Sequence, residues 1–215
     1  DAAEKYAACG PSQSEIHLVG LPRFDKYFAS INYEDRLQTI GVCVGLLDTE
    51  SQLLNLSRIL RSQLPVVDFV LRPHPSDPRT KRWKTVAKEA AWGFSDGKQE
   101  DAFQFLSKVD GVLAGDSNIL LKAALVNVLP IYYDFSGDGL DWYGFHKNGL
   151  VDYFSDPQTV TEHIRTVASK GRPAVRAKAK RYCATIDTEF DGRSTELCVQ
   201  ILEKLAQEQK KRAAV

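Results

Sequence analysis

The chain has 215 residues, with 28 basic and 28 acidic side chains and a formal net charge of zero. That balance excludes a general electrostatic case for DNA or RNA as partner, so any anion it binds must be gripped locally. Hydrophobic residues make up 43%, enough for one large domain or two small ones. No apolar run approaches the roughly eighteen residues of a membrane span.

The four cysteines, Cys9, Cys43, Cys183 and Cys198, show no metal-ligand spacing, and read as reduced thiols. With no signal peptide, the expected location is cytoplasmic, with peripheral attachment to the inner face of a membrane left open. The chain begins at Asp1 and contains no methionine. It reads as an excised piece of something longer, although a processed chain would look the same.

Residues 1–14 form a linker or terminal segment, with a short helical turn near Ala2 to Ala8. Glu15 to Gly20 reads as a short strand, Leu21-Pro22-Arg23-Phe24-Asp25 as a turn, and Asp25 to Ile31 as a helical turn. Thr39 to Gly45 is apolar and β-branched on both parities, the pattern of a strand covered on both faces. After Asp48 or Thr49 as N-cap, apolar residues from Leu53 to Leu64 recur at helical spacing until Pro65. A strand at Val66 to Leu71 completes a βαβ unit and runs into Arg72-Pro73-His74-Pro75.

Asp77 or Ser76 is placed to cap a helix from Pro78 through Ala91, followed by a short strand at Ala91 to Ser95. A helix over Lys98 to Val109 precedes a strand at Gly111 to Ala114. A helix over Ser117 to Val126 leads to Leu129 to Tyr133, the last clear strand of the set. Asp134 to Gly149 is a long aromatic loop, of the kind that is usually functional when ordered. Helices are expected from Asp156-Pro157 to about Lys170, from Arg172 to Thr185 with a basic face, and from Ser194 to Lys211. Short apolar strands alternating with helices predict an α/β fold, a Rossmann-like doubly wound parallel sheet with C-terminal helices. The expected organisation is one domain over residues 15–190, with residues 191–215 a helix packing on it or extending from it.

Two loops stand out for chemistry. Prolines on both sides of His74 stiffen its backbone at the C-terminal end of a strand, the edge of an open α/β sheet where ligands bind. The plain alternative is an ordinary surface turn with a solvated histidine. At Gly115-Asp116-Ser117-Asn118 a strand meets the start of a helix, where free backbone N–H groups and the Ser117 hydroxyl suit a phosphate. Asp116 or Ser117 simply capping its own helix is the common alternative. Both loops should open on one edge, so Arg72, His74 and Ser117 would converge on a phosphate-sized space. Neither a P-loop nor a Gly-x-Gly-x-x-Gly fingerprint is present.

Three stretches, taken together and in order, resemble the C-terminal, nucleotide-binding half of GT-B glycosyltransferases with a His-Pro motif. They are Val19-Gly20-Leu21-Pro22-Arg23-Phe24-Asp25, then Leu71-Arg72-Pro73-His74-Pro75, then Gly115-Asp116-Ser117 with Leu121-Lys122-Ala123-Ala124-Leu125 and Leu129-Pro130-Ile131. The group includes polysialyltransferases, CMP-Kdo transferases and CDP-glycerol glycerophosphotransferases. The resemblance implies a donor-binding domain for a CMP-activated sugar of the Kdo or sialic-acid type, in bacterial surface polysaccharide synthesis. His74 and Ser117 would act on the donor phosphate, with Arg72, Gly115, Asp116, Asn118 and Lys122 around the nucleotide.

Lys122 stands where that group often has a ribose-binding glutamate, and a cation cannot accept hydrogen bonds from a diol. Trp142 or Tyr143 is placed to stack on the base, or else only to pack, and His146 or Lys147 to neutralise a diphosphate or a sugar carboxylate. Asp138 and Asp141 are acid/base or metal candidates without a partner at a catalytic spacing. No tightly bound cofactor and no metal are expected, since a leaving nucleotide needs only charge stabilisation. The expected partners are a nucleotide-sugar donor, a glycan acceptor and an N-terminal GT-B half that brings the catalytic base. The rival expectations are a non-catalytic nucleotide- or glycan-binding module of the same fold, and a CDP-glycerol or UDP-sugar enzyme.

Overall fold

The structure is a computed structural model that describes residues 8–9 and 15–213. The turn expected near Ala2 to Ala8 lies almost wholly outside the described residues. Two compact units divide the chain, residues 30–176 and the paired segments 1–29 and 177–215.

The larger unit is built on six parallel strands: β1 (Thr39–Val44), β2 (Asp68–Pro73), β3 (Gly93–Phe94), β4 (Gly111–Ala114), β5 (Leu129–Tyr133) and β6 (Asp152–Phe154). Their spatial order is β3-β2-β1-β4-β5-β6. The chain works outward from β1 in one direction, then returns to start again at β4. The crevice where a doubly wound sheet takes its ligand therefore lies beyond the carboxyl ends of β1 and β4. Register levels the strand ends there, pairing Cys43 with Arg72 on one side and with Ala114 on the other.

The connecting helices are α1 (Glu50–Gln63), α2 (Thr80–Glu89), α3 (Ala102–Leu106), α4 (Ile119–Leu125) and α5 (Pro157–Lys170). Strand side chains alternate between faces. Ile40, Val42, Val44, Phe69 and Leu71 pack with Leu53, Leu56, Trp83, Val86, Val160 and Ile164 of α1, α2 and α5 in one buried cluster. Gly41, Cys43, Val70 and Arg72 have the opposite parity. There Phe105 of α3 packs close against β1 because Gly41 has no Cβ, which would sit 2.3 Å from the ring's Cζ. Thr49 closes a capping box on α1 with Gln52.

Several expectations need correction. Glu15 to Gly20 is not a strand, and its residues through Leu18 are exposed, so the apolar alternation buries neither face. The helix expected from Pro78 begins at Thr80, because Asp77 accepts the backbone N–H and the guanidinium of Arg79. The helix over Lys98 to Val109 contracts to α3, with Asp101 as its cap.

The basic helix over Arg172 to Thr185 is only a 3-10 segment, Arg176–Arg181. Pro173 lacks a donor, and Arg172 is buried with its guanidinium given to the carbonyls of Asn32, Glu34, Arg36 and Asn127. β6 escaped notice because it has three residues and pairs only along one edge.

In the smaller unit a 3-10 segment, Pro22–Ser30, carries Asp25, and the terminal helix α6 spans Ser194–Ala213. Asp25 accepts the N–H groups of Ser194 (3.0 Å) and Thr195 (2.7 Å) at the start of α6. Burial pushes its pKa up, but these bonds outweigh it and hold the carboxyl below its ordinary value. Gly20 has φ +75°, and a Cβ there would lie 2.5 Å from both Ser194 Oγ and Thr185 Oγ1. The Gly20 to Asp25 stretch of the family resemblance thus caps and seats a helix. No helix among the described residues is long and apolar enough to cross a membrane.

Candidate functional site

A cavity of about 390 Å³ opens at the β1/β4 crevice, walled by Arg72 to Pro75, Gly97, Asp101 and Ala102 on one side and Ser117 to Ile119 with Lys122 on the other. That volume lies within the range of small-ligand pockets. It brings together His74, Ser117, Asn118 and Lys122, though each has its own local reason for being there.

His74 is exposed on a turn anchored by its N–H to Val44 O (3.0 Å) and by Asp77 N to its own carbonyl (2.9 Å). Its Nδ1 accepts the Ser76 N–H at 3.1 Å. The neutral ring therefore carries its proton on Nε2, a donor for an anion. Ser117 precedes α4, and its Oγ lies 3.5 Å from the Ile119 N–H. Asn118, not Asp116 or Ser117, occupies the N-cap position, and it makes no side-chain cap bond. Lys122, one turn further along α4, lines the same wall.

Arg72 lines the cavity but does not offer a free fork to it. The side chain is buried, lies over the Phe105 ring at 4.9 Å, and donates to Ser95 Oγ (2.6 Å) and Glu100 O (2.6 Å). Ser95 Oγ in turn donates to Glu100 Oε2 at 2.5 Å, and Lys108 meets Glu100 Oε1 at 2.5 Å. Burial raises the Glu100 pKa, while Lys108, Ser95 and Arg72 lower it by more, so it stays ionised.

A second cavity of about 250 Å³ shares Cys43, Gly45 and Ser117 with the first and is walled by Asp48, Gly115, Asp116, Tyr132, Asp134, Ser136 and Asp138. Gly115 and Asp116 thus sit beside His74's cavity rather than in it. Asp48 accepts the Gly45 N–H at 2.6 Å, and burial pushes its pKa up. Asp134 receives the N–H groups of Ser136, Gly137 and Gly139 and the hydroxyls of Ser136 and Tyr153. Those bonds overcome burial and hold it below its ordinary value. Its part is to shape the loop after β5. Cys43 borders both cavities, but burial pushes its thiol up to about 12, so it is no nucleophile.

The aromatic loop makes contacts of its own. The Trp142 side chain is 87% exposed, while its backbone N–H donates to Asp116 Oδ2 at 2.9 Å. Tyr143 stacks on Phe145 with centroids 5.1 Å apart, and His146 meets Tyr153. None of these side chains lines either cavity. Asp141 accepts the N–H groups of His146 and Lys147, a turn-capping role. Among the described residues no three His, Cys, Asp or Glu side chains are grouped to hold a metal ion. A larger hollow of about 500 Å³ between α1 and α2, walled by Arg58, Arg61 and Glu89, gathers none of the expected residues.

Three residues that build this region were not expected at the site. Asp101 lines the first cavity while capping α3. Arg79 fastens the loop after β1 to the His74 turn, donating to Asp48 O (2.9 Å), Leu46 O (2.8 Å) and Asp77. Asp48 pins Gly45. A helix cap at Asp101 was the one available signal.

No family profile matches the chain, and no curated protein matches it. Among solved structures it is similar to the C-terminal CMP-Kdo binding domain of WaaA from Acinetobacter baumannii, with TM-score 0.51 and 14% identity over 74% of this chain and 97% of that one. It is also similar to a putative UDP-N-acetylglucosamine 2-epimerase from Listeria monocytogenes, with TM-score 0.63 and 13% identity over 96% and 58%. The wall teichoic acid polymerase TagF, soaked with CDPG, gives TM-score 0.53 and 13% identity over 89% and 51%. The chain spans just over half the length of the last two structures. At such identities the likeness is one of fold, the Rossmann-like α/β sheet of a GT-B half.

Proposed function

We propose that this chain is the donor-binding half of a glycosyltransferase that uses a cytidine-nucleotide-activated sugar, of the CMP-Kdo or CMP-sialic acid type, in bacterial surface polysaccharide synthesis. The observation that carries this reading is the convergence of His74, Ser117 and Lys122 on one cavity at the β1/β4 crevice. The cavity offers a ring N–H, a hydroxyl and an ammonium, the donors a leaving phosphate calls for.

In the proposed step an acceptor hydroxyl oxygen attacks the sugar's anomeric carbon. The bond from that carbon to the phosphate oxygen breaks, and its electron pair leaves with CMP. His74 Nε2–H and Ser117 Oγ–H donate to the departing phosphate while Lys122 balances its charge, so departure needs no metal. The acceptor's proton goes to a base outside these residues, in an N-terminal half of a longer protein.

A second reading, a CDP-linked polyol as donor, is favoured by the adjoining cavity. Asp48, Asp116, Asp134 and Asp138 surround it, and such a wall repels a sugar carboxylate while suiting a neutral, hydroxyl-rich group. Calorimetric titration with CMP, CDP, UMP, UDP, CMP-sialic acid and CDP-glycerol tests both. Cytidine nucleotides binding over uridine ones is the expected result. CDP-glycerol outcompeting CMP-sialic acid would select the second reading, and silence from every nucleotide would end both.

A further inference from the structure

The first cavity holds one carboxylate among its walls, and that is Asp101. Resting on the nucleotide reading above, we infer that Asp101 accepts the hydrogen bonds of the nucleotide's ribose diol, and that buried Arg72 is the positioning residue that sets it there. The place where the resemblance puts a ribose-binding carboxylate is Lys122, and an ammonium has no acceptor to give a diol.

The wall carrying Asp101 is fixed from both ends. Arg72 grips Ser95 Oγ and Glu100 O, each at 2.6 Å, and the second bond pins the residue immediately before Asp101. Gly97 lets the same loop close on the His74 turn, since a Cβ there would lie 2.9 Å from Pro73 O and 3.3 Å from Pro75 Cγ. Asp101 Oδ1 then accepts the N–H groups of Phe103 (2.7 Å) and Gln104 (3.0 Å), which orients the carboxylate. Oδ2 takes no part in that cap, and its lone pairs suit two adjacent hydroxyls.

The cavity therefore combines several donors with one carboxylate. A phosphate is drawn to His74, Ser117 and Lys122 and repelled by Asp101, whereas a diol finds in Asp101 a charged acceptor stronger than the neutral amide of Asn118. A nucleotide satisfies both kinds of group with its phosphate on His74, Ser117 and Lys122 and its ribose on Asp101.

Asp101→Asn tests this without disturbing the fold, because asparagine caps a helix as well as aspartate. Its carbonyl replaces Oδ1 on the α3 N–H groups, and its NH₂, a donor only, replaces Oδ2. The measurement is calorimetric titration of CMP, 2′-deoxy-CMP, UMP and 2′-deoxy-UMP on the wild-type chain, on Asp101→Asn and on Arg72→Lys. The wild type is expected to prefer each ribonucleotide by about tenfold or more, the worth of a charged hydrogen bond. In Asp101→Asn that preference should fall to near one with deoxynucleotide affinity unchanged. In Arg72→Lys, which cannot bridge Ser95 and Glu100, it should shrink as well.

A ribose preference that survives Asp101→Asn, a wild type without preference, or an equal loss of both sugars overturns the assignment alone. Failure of the wild type to bind any of the four overturns the nucleotide reading itself.

Discussion

Replacing Asp77 by asparagine strikes the joint that holds the two loops of the crevice together. Asp77 is wholly buried. Its Oδ1 accepts Arg79 N (2.8 Å) and Nε (3.0 Å), and its Oδ2 accepts Arg79 Nη2 (2.7 Å) and Trp83 Nε1 (2.9 Å). Burial pushes the carboxyl up, but the bonds from Arg79 and Trp83 outweigh it and bring the pKa from 3.8 to about 2. At about 1.36 kcal/mol per unit that shift is worth about 2.5 kcal/mol.

Because the folded pKa is depressed, this stability is present above the unfolded value near 4 and is lost as pH falls from there toward 2. Asp77→Asn should therefore cost about 2–4 kcal/mol at pH 7, the upper part reflecting an Arg79 charge left without its partner. The gap to wild type should narrow by about 2 kcal/mol between pH 5 and pH 2, where the folded carboxyl is half protonated. Urea unfolding followed by tryptophan fluorescence measures it, with Trp83 lying against the changed atom. A gap that stays constant from pH 6 to pH 2 would refute the ion-pair account, and so would no gap at pH 7.

Asp25→Ala removes the acceptor of two N–H groups at the start of α6, and should cost about 1–2 kcal/mol and speed amide exchange in the first turn of that helix. Gly41→Ala drives a methyl into Phe105, and a loss of about 1–3 kcal/mol in thermal or urea unfolding is expected. With its thiol pKa near 12, Cys43 should resist iodoacetamide at pH 8 until the chain is unfolded, while exposed Cys9 labels at once. Peptide mass spectrometry reads both, and rapid labelling of native Cys43 would contradict the burial argument.

The sheet was legible wherever local chemistry and long-range packing agree. Thr39 to Val44 is apolar on both parities because both its faces are covered, and Leu53 to Leu60 keeps helical spacing because one stripe is buried. The three-residue β6 lies at the sheet's edge and carries no such pattern. Arg172 looked like part of a solvated basic helix, yet its guanidinium finds four backbone carbonyls distant in sequence, which no local spacing announces.

The same division holds at the crevice. His74 and Ser117 were visible because proline, glycine and strand ends mark sharp turns. Arg72 was misjudged in its role, since its partners Ser95 and Glu100 lie more than twenty residues away. Asp101 fell inside the stretch read as a helix over Lys98 to Val109, and only the folded loop shows that it shares a cavity with His74.

A crystal structure of this chain with CMP bound is the most direct test of the central claim. The phosphate is expected within about 3 Å of both His74 Nε2 and Ser117 Oγ, ordinary hydrogen-bond distance, with the ribose toward Asp101. A phosphate seated elsewhere on the molecule, or a crevice left empty at saturating CMP, would contradict it.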